Sequence, residues 1–334
     1  MHRINMAFAE GVPSLFIIQT PFQAMCAISA IRQLKIYDYD FSLHLHKKTE
    51  NRNKQTIELV ERYGVKYKIV NTRPIKVLER LSLLIDQKGN YNRVFLGTHL
   101  YQDGYYYALK ELKRDGNLVL LDDGVATVSL LKKGYKITGI SFIYMLWNKI
   151  VSHVRGVKNN NLFTVYKGIT NPEWNISFND ISMLRENRTI TEEGEVFFIG
   201  TNNSLFVDKY GVKEGEFKKL LDVVFTKIIS DNPNYSIIYI PHGRDESVFA
   251  KDMCERMSIQ YKPLTINIEN YLLSLKNVPH AIYGFTSSAL YNIKMLYPDT
   301  RVTNFLANIL YEKEQSFLDI SLYYEQQGIP YIRL

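Results

Sequence analysis

Three short polar islands carry the residue types that could do chemistry. Leu121-Asp122-Asp123-Gly124 sets two carboxylates after an apolar run, and Ile240-Pro241-His242-Gly243-Arg244-Asp245-Glu246 sets an imidazole in the same situation. Tyr283-Gly284-Phe285-Thr286-Ser287-Ser288 sets three hydroxyls just before a helical pattern. A carboxylate within reach can take the proton from an attacking hydroxyl. Histidine, whose charge changes near neutral pH, can protonate or hydrogen-bond a departing phosphate. Hydroxyls at a helix start join free backbone N–H groups and the positive end of the helix dipole in a phosphate site that needs no metal. Together the three fit group transfer from a phosphate-bearing donor to a hydroxyl acceptor.

Each island also has a purely structural reading. Asp122 and Asp123 are adjacent, so they point different ways; one can face a ligand while the other caps the helix starting near Val125. His242 could simply shape a turn. Thr286 could be an N-cap, and sequence does not separate capping from phosphate binding at Ser287 and Ser288. Supporting positions are Glu269, a natural acceptor for ribose hydroxyls or else a helix-start carboxylate, and Gln19, Thr20 and Gln23, which follow the first apolar run. The segment Gly97-Thr98-His99-Leu100-Tyr101-Gln102 belongs with these on the amino-terminal side, for acceptor binding or helix capping. No Asp-x-Asp pair ends a strand and no His/Asp/Glu cluster has ligand spacing, so the expected chemistry is metal-independent. His44 and His46 share a strand face and read as surface residues.

These residues need a scaffold, and the hydropathy pattern supplies one. Short apolar runs over residues 14–19, 41–46, 67–70, 93–97 and 117–121 read as buried strands, separated by helical stretches over 21–34, 54–63, 75–85 and 101–112. The alternation lapses over 170–194, where Pro172, Trp174, several Asn and a charged run read as a connection. It resumes with strands at 195–200, 236–240, 281–283 and 301–304 and helices at 213–230, 246–257, 268–275 and 287–296. Repeated strand–helix alternation implies parallel sheets covered on both faces. The expected architecture is α/β of the GT-B type: two doubly wound Rossmann-like domains, residues 1–169 and 195–334, facing a central cleft. In such sheets ligands bind at the carboxyl ends of strands, and all three islands lie there.

Composition agrees with a folded two-domain chain: 334 residues, 46% of them apolar. No run of about 18 apolar residues and no cleavable leader pattern occurs, so a cytoplasmic location is expected. Cys26 and Cys254 lie far apart in apolar segments and read as reduced core residues. A net charge of +7 implies an anionic partner: nucleic acid, an anionic membrane face, or a nucleotide sugar with its acceptor. The basic clusters at His46-Lys47-Lys48, Lys132-Lys133 and between Lys149 and Lys158 have no nucleic-acid motif around them, so nucleic acid is not an expected partner. Residues 139–156, apolar with basic residues towards the end, read as a buried helix, a membrane-surface helix or a subunit contact in a homodimer.

The order and content of the islands resemble the bacterial sialyltransferases, and Ile18-Gln19-Thr20-Pro21-Phe22-Gln23 is similar to the first strand and loop of glycosyltransferase family 52. The likeness runs from about residue 14 to about residue 300. The family has Pro after its histidine where this chain has Gly243; either residue can shape a tight turn. The resemblance implies an inverting sialyltransferase moving N-acetylneuraminate from CMP-Neu5Ac to a terminal sugar, such as galactose, of a bacterial surface glycan, with peripheral contact at the inner membrane face. It implies Asp123 as general base and His242 as the group assisting the leaving phosphate. Donor contacts would come from Gly200, Gly243, Glu269, Gly284, Thr286, Ser287 and Ser288. Acceptor contacts would come from Thr20, Gln23, His99, Gln102, Asp122 and Gly124. No cofactor and no metal is implied, since the CMP-sugar is a substrate. The alternatives are another CMP-nonulosonate, CMP-Kdo or UDP-sugar donor, and, in a different class, a non-catalytic nucleotide-binding or membrane-docking protein.

Overall fold

The computed structural model describes residues 7–45, 50–73, 75–85, 89–97, 103–125, 127–128, 131, 140–185, 192–203, 210–243, 245 and 248–334. The chain divides into two compact units, Met1–Leu184 and Arg185–Leu334.

The first unit is built on a seven-stranded parallel sheet. Its strands are β1 (Ser14–Ile18), β2 (Tyr39–Leu45), β3 (Lys68–Asn71), β4 (Tyr91–Leu96), β5 (Leu112–Leu121), β6 (Lys158–Thr164) and β7 (Asn175–Phe178), in the order β3-β2-β1-β4-β5-β6-β7. Helices α1 (Pro21–Gln33), α2 (Glu50–Arg62), α3 (Val77–Ile85), α4 (Asp103–Glu111) and α5 (Ile140–Val154) alternate with them. β1 is Ser-Leu-Phe-Ile-Ile and every residue of it is buried, as a central strand covered on both faces requires. Leu15, Ile17, Val94, Leu96, Leu118 and Leu120 pack on one side with Tyr105 and Leu109 of α4 and Val151 of α5. The strand order reverses between β1 and β4, which makes their carboxyl ends the switch point where ligands bind in such sheets.

The second unit repeats the scheme with six parallel strands: β8 (Glu192–Ile199), β9 (Ser236–Ile240), β10 (Gln260–Tyr261), β11 (Val278–Gly284), β12 (Arg301–Leu306) and β13 (Tyr331–Arg333), ordered β10-β9-β8-β11-β12-β13. Its helices are α6 (Glu214–Asp231), α7 (Phe249–Arg256), α8 (Ile268–Ser274), α9 (Ser288–Leu296), the one-turn α10 (Asn308–Tyr311) and α11 (Ser316–Gln326). Phe198, Tyr239, Tyr283, Phe285 and Phe305 form the centre of its core against Phe217 and Phe225 of α6. Here the switch point lies between β8 and β11.

Part of the segment read as a connection, residues 170–194, is regular structure. β7 pairs with β6 as the edge strand of the first sheet, and a 3-10 turn at Ile181–Leu184 packs on α1. The turn is tied down where Asn179 Nδ2 donates to Cys26 O (3.0 Å) and Ser29 Oγ to Asp180 O (2.7 Å). The unit boundary therefore falls at Leu184/Arg185. Asn residues that suggested a loop instead satisfy polar partners: Asn171 Nδ2 donates to Leu131 O (2.9 Å), and Asn175 Nδ2 donates to the Asn161 side chain at Oδ1 (2.7 Å). Cys26 and Cys254 are free and buried, one in each unit.

Candidate active site

In the first unit β1 ends at Ile18, and Thr20, in extended conformation, caps α1: its Oγ1 accepts from Gln23 N (3.2 Å). The cap turns the Gln23 side chain back over the strand end. Gln23 is buried; its Oε1 accepts from Gln19 N (2.9 Å) and its Nε2 donates to Asp123 Oδ1 (2.9 Å). A side chain at Gly97, at the end of β4, would collide with Gln23, since a Cβ there would lie 2.5 Å from Oε1. The switch point thus uses a glycine at the end of β4 to seat a glutamine from the first turn of α1, and the glutamine holds the carboxylate that follows β5. Asp123 is half-buried, and Gly124 after it takes φ +74°, a left-handed turn that glycine adopts freely.

Asp122 does something else. It has no exposed surface; Oδ1 accepts from Thr164 Oγ1 (2.8 Å) and Oδ2 from Val165 N (2.7 Å), so it ties β5 to the end of β6. Burial pushes its carboxyl up to about 7, against the opposing pull of those donors. The Asp122 side chain is turned inward, and it anchors the strand from which Asp123 projects. His99 and Gln102 lie outside the described residues, as does His46. His44 is buried, its ring edge-on to Tyr107 at 4.8 Å, which corrects the expectation of a surface residue.

In the second unit His242 and Gly243 stand exposed after β9, in a turn closed by Asp245 N donating to His242 O (2.8 Å). Asp245 is bound in turn by Asn203, whose Nδ2 donates to Oδ2 (2.6 Å) and whose N donates to Oδ1 (3.2 Å), so the loops after β8 and β9 are joined. Arg244 and Glu246 lie outside the described residues. Gly200, at the end of β8, donates its N–H to Ile240 O (2.7 Å), and a Cβ there would meet the Tyr239 hydroxyl at 2.4 Å. Its N–H is therefore committed to the protein, and Gly200 serves close strand packing. Gly284 likewise lets β11 approach β8, a Cβ lying 3.1 Å from Ile199 O.

The N-cap of α9 is Ser287, whose Oγ accepts from Ala289 N (3.3 Å) while its carbonyl accepts from Tyr324 OH (2.9 Å). A hydroxyl that accepts from a cap N–H still carries a proton to donate, so capping and phosphate binding are compatible at this residue. Ser287 and the helix residue Ser288 are both half-buried. Thr286 is not the cap. It is buried at φ +29°, an unfavourable backbone for a β-branched residue, with its N donating to Asn304 Oδ1 (2.6 Å). Asn304 is fully buried on β12 and donates to Ser321 Oγ (2.8 Å). Glu269, in the first turn of α8, is only 6% exposed; its oxygens accept from Asn292 Nδ2 (2.8 Å) and Asn267 Nδ2 (2.9 Å), which ties α8 to α9.

The positioning residues Gln23, Asn203, Asn292 and Asn304 frame these half-sites, and the last three escaped the sequence reading. Their signal was an amide inside or beside an apolar run, as in Val302-Thr303-Asn304-Phe305, because a buried amide must be hydrogen-bonded.

No family model and no curated protein sequence matches the chain. Solved structures do. An α/β-galactoside α-2,3-sialyltransferase from Photobacterium phosphoreum superposes with a TM-score of 0.53 at 11% identity, over 95% of this chain and 98% of that one. A UDP-N-acetylglucosamine 2-epimerase gives 0.54 at 8% identity, over 92% and 82%. The S. aureus MnaA–UDP co-structure gives 0.50 at 10% identity, over 88% and 79%. The chain shares their fold. It has the two-domain Rossmann-like α/β architecture of the GT-B class.

Proposed function

We propose that the chain is a sugar-nucleotide-dependent glycosyltransferase, and more finely an inverting sialyltransferase that moves N-acetylneuraminate from CMP-Neu5Ac onto a galactose-terminated surface glycan. The observation that carries this reading is Asp123, a half-buried carboxylate held by Gln23 at the switch point of the first sheet. It stands where a general base for an acceptor hydroxyl belongs. The order of the acidic pair, the histidine turn and the serine pair, which resembles family 52, supports the finer reading, as does the fold shared with a sialyltransferase.

In this mechanism the Asp123 carboxylate takes the proton as the acceptor oxygen bonds to the anomeric carbon. The bond from that carbon to the CMP phosphate oxygen breaks on the opposite face, which inverts the configuration. CMP departs with the electron pair, and His242 and the hydroxyls of Ser287 and Ser288, at the positive end of α9, stabilise its phosphate. These donors supply the stabilisation that a cation gives in other transferases, so the reaction is proposed to need no metal. Asp122, Thr286 and Glu269 act by holding β5, the start of α9 and the α8–α9 pair.

A UDP-sugar donor is the second reading, favoured by the fold shared with UDP-N-acetylglucosamine 2-epimerases. Incubation with CMP-Neu5Ac, CMP-Kdo and UDP-N-acetylglucosamine in parallel, following nucleotide release and sugar transfer, separates the two.

A further inference from the structure

The face of α5 that looks away from the first sheet is apolar. Phe142, Ile143, Leu146, Ile150 and Val154 are all exposed, Ile143 at 58% and Ile150 at 52%, while Met145, Asn148, Val151 and Ser152 on the other side are buried against the unit. At 100° per residue the five apolar residues, with the exposed Lys149 and His153, fall within an arc of about 140°. Lys149 lies at one edge of that arc. Between Asp123 and Glu173 the chain has no acidic residue, yet it carries Lys132, Lys133, Lys136, Lys149, Lys158 and Lys167. Lys158 and Lys167 are exposed on either side of β6 in the same unit.

We propose that α5 lies flat on an anionic lipid surface, with its apolar stripe at the acyl boundary and Lys149, at the edge of the stripe, on the headgroups. An apolar stripe with a lysine at its edge and no acid within its arc is the pattern of a helix that lies in the membrane interface. Charge selects this occupant over a second copy of the chain, since a symmetric pairing through α5 would set like charges against each other. The helix is too short to cross a bilayer, and no helix among the described residues is long and apolar enough to do so.

The test is co-sedimentation of the full chain with phosphatidylcholine vesicles, with and without phosphatidylglycerol, at low and high salt. The expected result is binding that requires phosphatidylglycerol, weakens with salt, drops about fivefold in Lys149→Ala and about tenfold or more in Ile143→Glu/Ile150→Glu. All three substituted side chains project from an exposed face, and melting curves check that the variants fold. The salt and lipid dependence of the unaltered chain tests the proposal independently of any variant. Equal pelleting with neutral vesicles, or none with anionic vesicles at low salt, overturns it. So does sedimentation equilibrium without lipid that finds a dimer which Ile143→Glu/Ile150→Glu splits into monomers.

Discussion

Adjacent aspartates with opposite surroundings give the site its sharpest residue-scale expectations. Asp123 meets Gln23 at a strand end, so Asp123→Asn should keep nucleotide binding and lower transfer by about 10²–10⁴, the range for loss of a general base. Greater loss of transfer in Asp122→Asn at an unchanged melting temperature would move the base to the wrong member of the pair. Asp122 should instead reveal itself through stability. Its folded-state value of about 7 lies above the ordinary 3.8, so the fold favours the protonated form and binds the extra proton between those values. The contribution of Asp122 is thus present below about pH 4, declines by about 1.4 kcal/mol per unit up to about pH 7, and is flat above it. Denaturant unfolding of wild type and Asp122→Asn across that range should show their difference moving in this sense. The serines divide similarly. Ser287→Ala removes an observed cap and should cost about 1 kcal/mol of stability. Ser288→Ala should leave stability nearly unchanged, and each substitution should weaken CMP binding about tenfold, equivalent to one hydrogen bond to a charged group. Calorimetry that finds CMP affinity unaltered in both variants would remove the phosphate site from α9.

At the scale of elements, three devices set the loops: the Gln23 bridge at the first switch point, the Asn203–Asp245 tie after β8 and β9, and the Asn304–Ser321 support beneath Thr286. Asn304→Ala strands the Thr286 N–H in a buried site and leaves its φ of +29° without support, which should cost about 1–3 kcal/mol. It should also weaken CMP binding without touching the nucleotide. The His242 turn offers the opposite sign. Gly243 is the second residue of a four-residue turn, its φ is outside the left-handed region, and a Cβ there meets nothing. Pro suits that turn position, so Gly243→Pro should raise unfolding free energy by about 0.4–1 kcal/mol and preserve activity. Strand and helix alternation was legible because central strands such as β1 are uninterrupted apolar runs between helical periods. The edges were not. β7 and β10 are short and half-exposed, with no apolar run to mark them, and β7 was therefore read as part of a connection. Likewise the location of each island at a strand end was legible, whereas which member faced inward was not. Asp122, Thr286 and Glu269 turn inward because of partners, Thr164, Asn304 and Asn292, that lie 42, 18 and 23 residues away.

At the scale of the whole molecule, the two units repeat one plan, a parallel sheet with a switch point beside its first strand, and each brings different chemistry to that place. The first offers a carboxylate; the second offers hydroxyls, an imidazole and a helix start. That division suits a transferase, in which an acceptor must lose a proton and a donor must lose a phosphate. If, as proposed, the donors to phosphate belong to the protein, transfer should persist in excess EDTA; full loss restored by Mn²⁺ or Mg²⁺ would require a metal at the phosphate. The most direct measurement is the parallel donor assay with a galactose-terminated acceptor. The expected outcome is CMP release coupled to transfer from CMP-Neu5Ac, with UDP-N-acetylglucosamine left intact. Turnover of UDP-N-acetylglucosamine, by transfer or by epimerisation, with CMP-Neu5Ac untouched, would show that the chain is not a sialyltransferase.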